Sequence, residues 1–321
     1  MPLIDSLANI GLPRYLSAEE FLRVMDDNEV EAALVSATPA CADLGELSRA
    51  TTLYGDRLRV VGAVVGDSAG DRKASVQAQI DSGFAGIHLA EELVVEEPEL
   101  LELIGKAGVL AFVTGSLGLR LVADALTSYL DRFPEAVVCA PAFGGVSGPE
   151  ILENEPVSRL FRHPRFLVIF SGQGAFDQET LRLWVNALIR TIGWSRALWG
   201  SDFPQCLWRG ESYISTTVWI DKIGLTPSEA DREAFFRGNA RRLLFSRGLA
   251  RPRPLAGSWK SSTPRERAFV SLFPHTPIDL PEEAQHALLA AYLNRSGPGS
   301  YRDFIAEQLA ETARRLKEES V

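Results

Sequence analysis

One carboxylate stands out by its surroundings. In Ala197-Leu198-Trp199-Gly200-Ser201-Asp202-Phe203-Pro204 a short apolar run ends in a small-residue turn, an acid and a proline. A buried parallel strand delivers a single acid to the mouth of a barrel in this way. A low-dielectric mouth raises a carboxyl pKa, which would suit Asp202 to general acid or base work. Its plainer uses are to cap the adjacent loop or to pair with an arginine. His88 falls late in a strand-like run and could bind or protonate a substrate oxygen; otherwise it is a core histidine with a satisfied hydrogen bond. Asn9, Thr114 and Ser171 fall at strand ends, where substrate contacts arise in a barrel. Phe203 and Trp208, with Trp199 and Trp219, could line a pocket for a ring-bearing substrate, although packing is the plainer role for Trp199. Cys206 is the better candidate for a reactive thiol, with no partner base evident, and Cys139 reads as a small core residue. Asp5 reads as a loop-fixing carboxylate. His163 precedes Pro164 and reads as structural, and His275 and His286 lie far along the chain.

The elements that must position these residues follow from periodicity and punctuation. Ser17-Ala18-Glu19-Glu20 is a capping box opening a helix with Phe21, Val24 and Met25 apolar. Strands are predicted over 2–5, 31–37, 58–65, 83–89, 109–114, 136–140, 166–171 and 196–202. Helices are predicted between them over 41–54, 71–82, 99–107 and 117–133. Thr226-Pro227-Ser228-Glu229 caps a further helix, with proline in its first turn. Alternating short buried strands and helices predict a parallel α/β fold. About eight strands in this length favour a closed TIM (β/α)8-like barrel over an open sheet. No glycine-rich phosphate loop follows the first strand. The barrel is expected over 1–250, a Pro-, Ser- and Arg-rich linker over 251–267, and a C-terminal helical extension over 268–321, with helices over 281–294 and from 301.

The chain has 321 residues and a formal net charge of −9. That balance argues against nucleic acid, which needs a basic patch. No apolar run is long enough for a transmembrane helix, and no signal peptide is visible at Met1-Pro2-Leu3-Ile4-Asp5. The three cysteines, Cys41, Cys139 and Cys206, are far apart and lack C-x-x-C spacing, which fits a reducing cytoplasm without a structural zinc site. Lysine is scarce and arginine abundant, read first as genomic composition.

Two phrases taken together resemble the amidohydrolase-related TIM-barrel family: Gly200-Ser201-Asp202-Phe203-Pro204, and Gly238-Asn239-Ala240 followed by Leu243-Leu244-Phe245. Gly83-Phe84-Ala85-Gly86-Ile87-His88-Leu89 also looks like the family's fourth strand, and the resemblance covers roughly residues 1 to 247. It implies that Asp202 matches an aspartate that usually joins histidines around a divalent metal. It also places the first-strand H-x-H pair at Leu7 and Asn9, the fifth-strand histidine near Thr114, and the sixth-strand histidine at Ala142 or Pro141. None of these is a histidine, so no metal and no other cofactor is expected. The function expected from the resemblance is a cytoplasmic, metal-independent hydrolase of a small carboxylated or cyclic, lactone-like substrate, with Asp202 as general base. The alternative is a catalytically inactive barrel that binds a ligand or partner, with the C-terminal helices offering a surface for a homodimer or partner protein. A decarboxylase, like other family members, is a third, weaker possibility.

Overall fold

The computed structural model describes residues 2–11, 15–37, 42–114, 119–145, 148–257, 259, 270–271, 279–280, 282–294, 304–305, 307–308 and 311. Eight parallel strands pair in sequence order: β1 (Leu3–Asn9), β2 (Val30–Ser36), β3 (Leu58–Ala63), β4 (Gly86–Ala90), β5 (Leu110–Thr114), β6 (Val137–Ala140), β7 (Phe166–Phe170) and β8 (Ala197–Trp199). The ring closes just past β8, where Phe203 bridges in parallel to Ala8 and the Asp202 N–H donates to the Leu7 carbonyl at 2.9 Å. Gly200 permits this approach, because a Cβ there would meet Ile169 at 2.7 Å and Leu7 at 2.8 Å. The fold is thus the TIM (β/α)8 barrel that the alternation predicts.

The surrounding layer consists of α1 (Ala18–Asp27), α2 (Leu44–Tyr54), α3 (Ala69–Asp81), α4 (Glu91–Glu96), α5 (Pro98–Ala107), α6 (Ala123–Arg132), a four-residue turn α7 (Ala142–Gly145), α8 (Glu155–Arg162), α9 (Gln178–Ile192), α10 (Gln205–Trp208), α11 (Ser215–Lys222) and α12 (Glu229–Glu233). Beyond α12 the helical path continues through two wider turns, Ala234–Gly238 and Arg241–Phe245. The capping box at α1 forms as predicted, with Ser17 Oγ accepting from the Glu20 N–H and the Glu20 carboxylate accepting from the Ser17 N–H. At α12 the cap is Ser228, which accepts from the Asp231 N–H at 3.1 Å. No helix among the described residues is long and apolar enough to cross a membrane.

Two apolar compartments result. Ile4, Leu34, Val61, Leu110, Phe112, Cys139, Leu167, Ile169 and Leu198 fill the barrel interior, and the alternate strand residues pack outward against the helices. Ala240 and Leu244 belong to the interior cluster. Their helix reaches the N-terminal ends of the strands, because Asn239 Nδ2 donates to the Ala197 carbonyl at 2.9 Å and the Trp194 carbonyl at 2.7 Å. The Gly-Asn-Ala phrase therefore has a physical meaning: the asparagine ties the helix to the start of β8, and Ala240 and Leu244 plug the base.

Arginines complete that base. Arg196 donates to the carbonyls of Phe161, His163, Phe166, Ile192 and Thr191. Arg165 donates to Leu130, Phe133 and Ala136, and Arg247 to Gly108 and Glu135. Arg57 donates to Val30 and Glu31. Guanidinium is suited to this work, since its fork presents several donors to carbonyls that the helix ends and strand starts leave unpaired.

The C-terminal segment lies against the barrel. The Arg253 N–H donates to the Ser82 carbonyl and the Leu255 N–H to Ser48 Oγ. In the extension, α13 (Glu282–Leu293) contributes Leu289 to the main core, as do Phe304 and Ile305 further on.

Candidate active site at the barrel mouth

Asp202 sits one turn past β8, at the C-terminal face, with φ of 55°. This left-handed backbone is uncommon outside glycine and directs the side chain away from the continuing strand path. Its carboxylate is 15% exposed. Oδ2 accepts from Arg209 Nη1 at 2.8 Å, and Oδ1 faces Asn9 Nδ2 at 3.5 Å. Burial pushes the Asp202 pKa above the ordinary aspartate value, against the opposing pull of the Arg209 charge and the two hydrogen bonds. Gly172, with φ of 73°, leaves the wall beside Oδ2 bare: a Cβ there would lie 4.0 Å from that oxygen.

Arg209 is itself clamped. Its Nε donates to Glu211 Oε2 at 2.9 Å, and the other Glu211 oxygen accepts from Gln173 Nε2 at 2.6 Å. The result is a hydrogen-bonded chain, Gln173–Glu211–Arg209–Asp202, joining the ends of β7 and β8. Two buried atoms in it, Arg209 Nη2 and Gln173 Oε1, have no hydrogen-bond partner among the described residues. Sequence reasoning missed Arg209, Glu211 and Gln173. The available signal was an Arg-Gly-Glu triplet one short helix after Asp202, where the acid would need a counter-charge.

Behind this wall lies a second acid. Asp5 is fully buried, and its carboxylate accepts from the N–H groups of Leu7 and Ser201 at 3.0 and 2.9 Å, from Ser201 Oγ at 2.5 Å and from the Tyr213 hydroxyl at 2.6 Å. It fixes the β1 end to the loop carrying Asp202. Burial raises its pKa to about 6, with the four donors pulling the other way.

The structure brings His88 and Thr114 together on neighbouring strands, with Nε2 and Oγ1 2.8 Å apart and the Phe112 ring edge-on to the imidazole at 5.4 Å. Burial lowers the His88 pKa to about 4, offset in part by the Ala37 carbonyl. A histidine held neutral in the fold but free to protonate when unfolded adds stability that is complete above pH 6.5 and lost as pH falls toward 4. His88→Gln should therefore reduce the acid sensitivity of unfolding between pH 7 and 4.5, by up to about 3 kcal/mol. Parallel denaturation curves for the two proteins would refute this assignment.

The other expected contacts are placed as follows. Asn9 lies beside Asp202. Ser171 is buried, and its Oγ accepts from the Ala142 N–H at 3.0 Å, holding a turn in which Ala142 and Phe143 have φ of 50° and 57°. Phe203 is 1% exposed and stacks on Phe21 at 5.7 Å, with Tyr213 at 5.6 Å. Its ring therefore belongs to the layer between barrel and helices, not to the mouth where the sequence reading put it, because the chain turns outward directly after Asp202. Trp208 is half-buried and stacks on Tyr15 at 6.1 Å. Cys206 is also corrected: it is fully buried, and burial holds its thiol well above the ordinary value, the opposite of a reactive thiolate. Trp199 is core, donating to the Thr216 carbonyl at 2.7 Å. His163 accepts from the Arg165 N–H beside the barrel base. His275 and the side chain of His286 lie outside the described residues, as does Cys41.

A family model described as Amidohydrolase matches residues 3–245. The chain belongs to the amidohydrolase family. No curated protein matches this amidohydrolase-family chain. Solved structures share its fold at low identity. A probable 2-pyrone-4,6-dicarboxylic acid hydrolase from Acinetobacter baumannii, with citric acid bound, is 15% identical over 76% of this chain and 100% of its own, with a TM-score of 0.58. A 2,6-dihydroxybenzoate decarboxylase from Rhizobium is 16% identical over 77% and 100%, also at 0.58. A dihydroxybenzoic acid decarboxylase from a Polaromonas species, with manganese and 2-nitroresorcinol bound, is 14% identical over 77% and 98%, at 0.57. Among the described residues of the amidohydrolase-family chain, no group of three or more His, Cys, Asp or Glu side chains converges as a metal site would require.

Proposed function

We propose that this amidohydrolase-family chain is a cytoplasmic hydrolase of a small cyclic, lactone-like substrate, acting without a divalent metal. The observation that carries this reading is the Asp202 carboxylate: half-buried at the C-terminal end of the barrel, raised in pKa, and held by Arg209 and Asn9. A carboxylate of raised pKa is a better base at neutral pH. Oδ2 is committed to Arg209, so in this reading Oδ1, held only by its long contact to Asn9, is the oxygen that takes the proton. In the reaction Asp202 takes a proton from water as the water oxygen bonds to the ester carbonyl carbon and the π pair moves to the carbonyl oxygen. Collapse of the tetrahedral species breaks the ring C–O bond, and the departing alkoxide takes the proton back from Asp202. Two carboxylates, Asp202 and Glu211, face one guanidinium on this wall. That balance favours a substrate uncharged at this point over one that places a carboxylate there.

Metal independence is supported by the donor chemistry. Leu7 offers methyl groups to the barrel interior, Asn9 turns its amide donor toward Asp202, Ala142 carries no donor, and the Asp202 carboxylate is already bonded to a cation. A divalent site needs several converging anionic or imidazole donors, and these residues do not fit one. Structures that share the fold include a probable 2-pyrone-4,6-dicarboxylic acid hydrolase and a decarboxylase with manganese bound. The second reading, an inactive ligand- or partner-binding barrel, is favoured by one fact: both Asp202 oxygens already face protein donors. A panel of δ-lactones and 2-pyrones, with and without carboxylate substituents, decides between them. Ring opening at an unchanged rate in excess chelator is expected; no turnover with any member supports the inactive barrel, and activity abolished by chelator sinks the metal-free mechanism.

A further inference from the structure

We infer that Ser201 is a positioning residue: its hydroxyl, held by the buried Asp5 carboxylate, fixes the left-handed backbone of Asp202 and with it the placing of the Asp202 carboxylate against Asn9. The inference rests on the hydrolase reading and deepens it. Its basis is a pair of side-chain turns set back to back where the ring closes. Asp5 Oδ1 accepts from the Leu7 N–H, two residues on, at 3.0 Å. Ser201 Oγ accepts from the Phe203 N–H, two residues on, at 3.0 Å. Asp202 is thus the central residue of the second turn. The turns are joined to each other, because the Ser201 N–H donates to Asp5 Oδ1 at 2.9 Å and the Ser201 hydroxyl to Asp5 Oδ2 at 2.5 Å. The first turn sits at an irregularity of β1, whose register against β2 shifts between Asp5 and Ala8. There the ladder is broken, and the Leu7 N–H ends on a side chain instead.

A residue other than glycine stays at φ of 55° only where its surroundings over-determine it. Backbone bonds on both sides of Asp202 do this. Its own N–H donates to the Leu7 carbonyl, and its carbonyl accepts from the Cys206 N–H at 3.0 Å. The flanking N–H groups, of Ser201 and Phe203, end on Asp5 and on Ser201 Oγ. Of these contacts, the Ser201 hydroxyl links the two sides, since it accepts from Phe203 while donating to Asp5. Asn9 hangs on the same joint, because its N–H donates to the Phe203 carbonyl at 2.6 Å. The Tyr213 hydroxyl donates to the same carboxylate oxygen, Asp5 Oδ2, at 2.6 Å, but reaches it from outside the 201–203 turn. That asymmetry separates positioning from stability. Losing either hydroxyl takes a charge-assisted bond from a buried acid. Losing that of Ser201 also frees the backbone that carries Asp202.

The test compares Ser201→Ala with Tyr213→Phe in the full chain. It measures thermal melting, kcat and KM on the δ-lactone or 2-pyrone that the parent turns over best, and the titration of the Asp202 carboxyl carbon by NMR, assigned with Asp202→Asn. Both variants are expected to melt several degrees lower, by similar amounts. Only Ser201→Ala is expected to lose kcat, by about 10–100-fold at nearly constant KM, since misplacing a catalytic group by about 1 Å costs on that order. Only there should the Asp202 titration be displaced. If Ser201→Ala does not fold, Ser201→Cys, close in size and a weaker hydrogen-bonding group, carries the same expectation. Unchanged kcat and an unchanged Asp202 titration in Ser201→Ala overturn the inference alone. So does an equal loss of kcat in Tyr213→Phe, which marks the effect as general loosening. A parent without turnover overturns the hydrolase reading, and the Asp202 titration then decides the inference: displaced in Ser201→Ala and not in Tyr213→Phe it stands, and otherwise it falls.

Discussion

Replacing Asp202 with asparagine is expected to lower lactone turnover by about 10²–10⁴-fold while leaving the barrel folded. The carboxamide is nearly isosteric, so the left-handed backbone at φ of 55° and the Asp202 N–H bond to Leu7 are undisturbed. What disappears is the basic oxygen pair. The amide can turn its oxygen to Arg209 or to Asn9, but it cannot take a proton from water at neutral pH. The structural loss is confined to one ion pair at a partly open mouth, worth about 1–3 kcal/mol. Turnover and thermal melting measured on the same preparation separate the two effects. Retained turnover in a folded Asp202→Asn protein would remove the general-base role outright.

The second large effect concerns stability. Asp5→Ala is expected to cost about 3–5 kcal/mol, because it strands two backbone N–H groups and two hydroxyls where water does not reach. Asp5→Asn should cost much less, since the amide oxygen can serve the Leu7 and Ser201 N–H groups while both hydroxyls rotate to accept from the amide nitrogen. The comparison has a pH signature. A carboxyl whose pKa rises from 3.8 unfolded to about 6 folded prefers its proton in the native state. The stability this confers is complete below pH 3.8 and is lost as pH rises through 6, amounting to about 3 kcal/mol. Relative to Asp5→Asn, the parent protein should therefore weaken between pH 4 and 6.5 in urea unfolding. A constant difference across that window would show that Asp5 is ionised at no cost.

Much of the fold was legible because barrel strands obey a local rule. The run Phe166–Phe170 is apolar throughout and Leu110–Thr114 is apolar up to its last residue, as strands covered on both faces require, and they pair in the order in which they occur. β1 was read short, as 2–5; the strand runs on to Asn9, with Ala8 and Asn9 pairing with β2 and Ala8 bridging to Phe203. The site was legible only as far as single residues. Asp202 and Asn9, and likewise His88 and Thr114, were selected for lying near strand ends, and each pair does meet. The Arg209–Glu211–Gln173 chain was hidden because its members belong to loops, where no periodicity reports direction. Phe203 misled for the same reason: adjacency to Asp202 says nothing about which way a residue faces after a left-handed turn.

The arginine collar and the Ala240–Leu244 plug have a consequence for how such a protein can change. They fasten helix ends and strand starts at the end of the barrel away from Asp202. These contacts lie apart from the mouth, where the buried Asp5 network is the main structural anchor. A chain divided in this way can exchange side chains around its mouth, outside that network, without loosening the base. Its chemistry can drift while its architecture stays in place, because the Gly-Asn-Ala phrase that helps reveal this family belongs to the base and not to the rim.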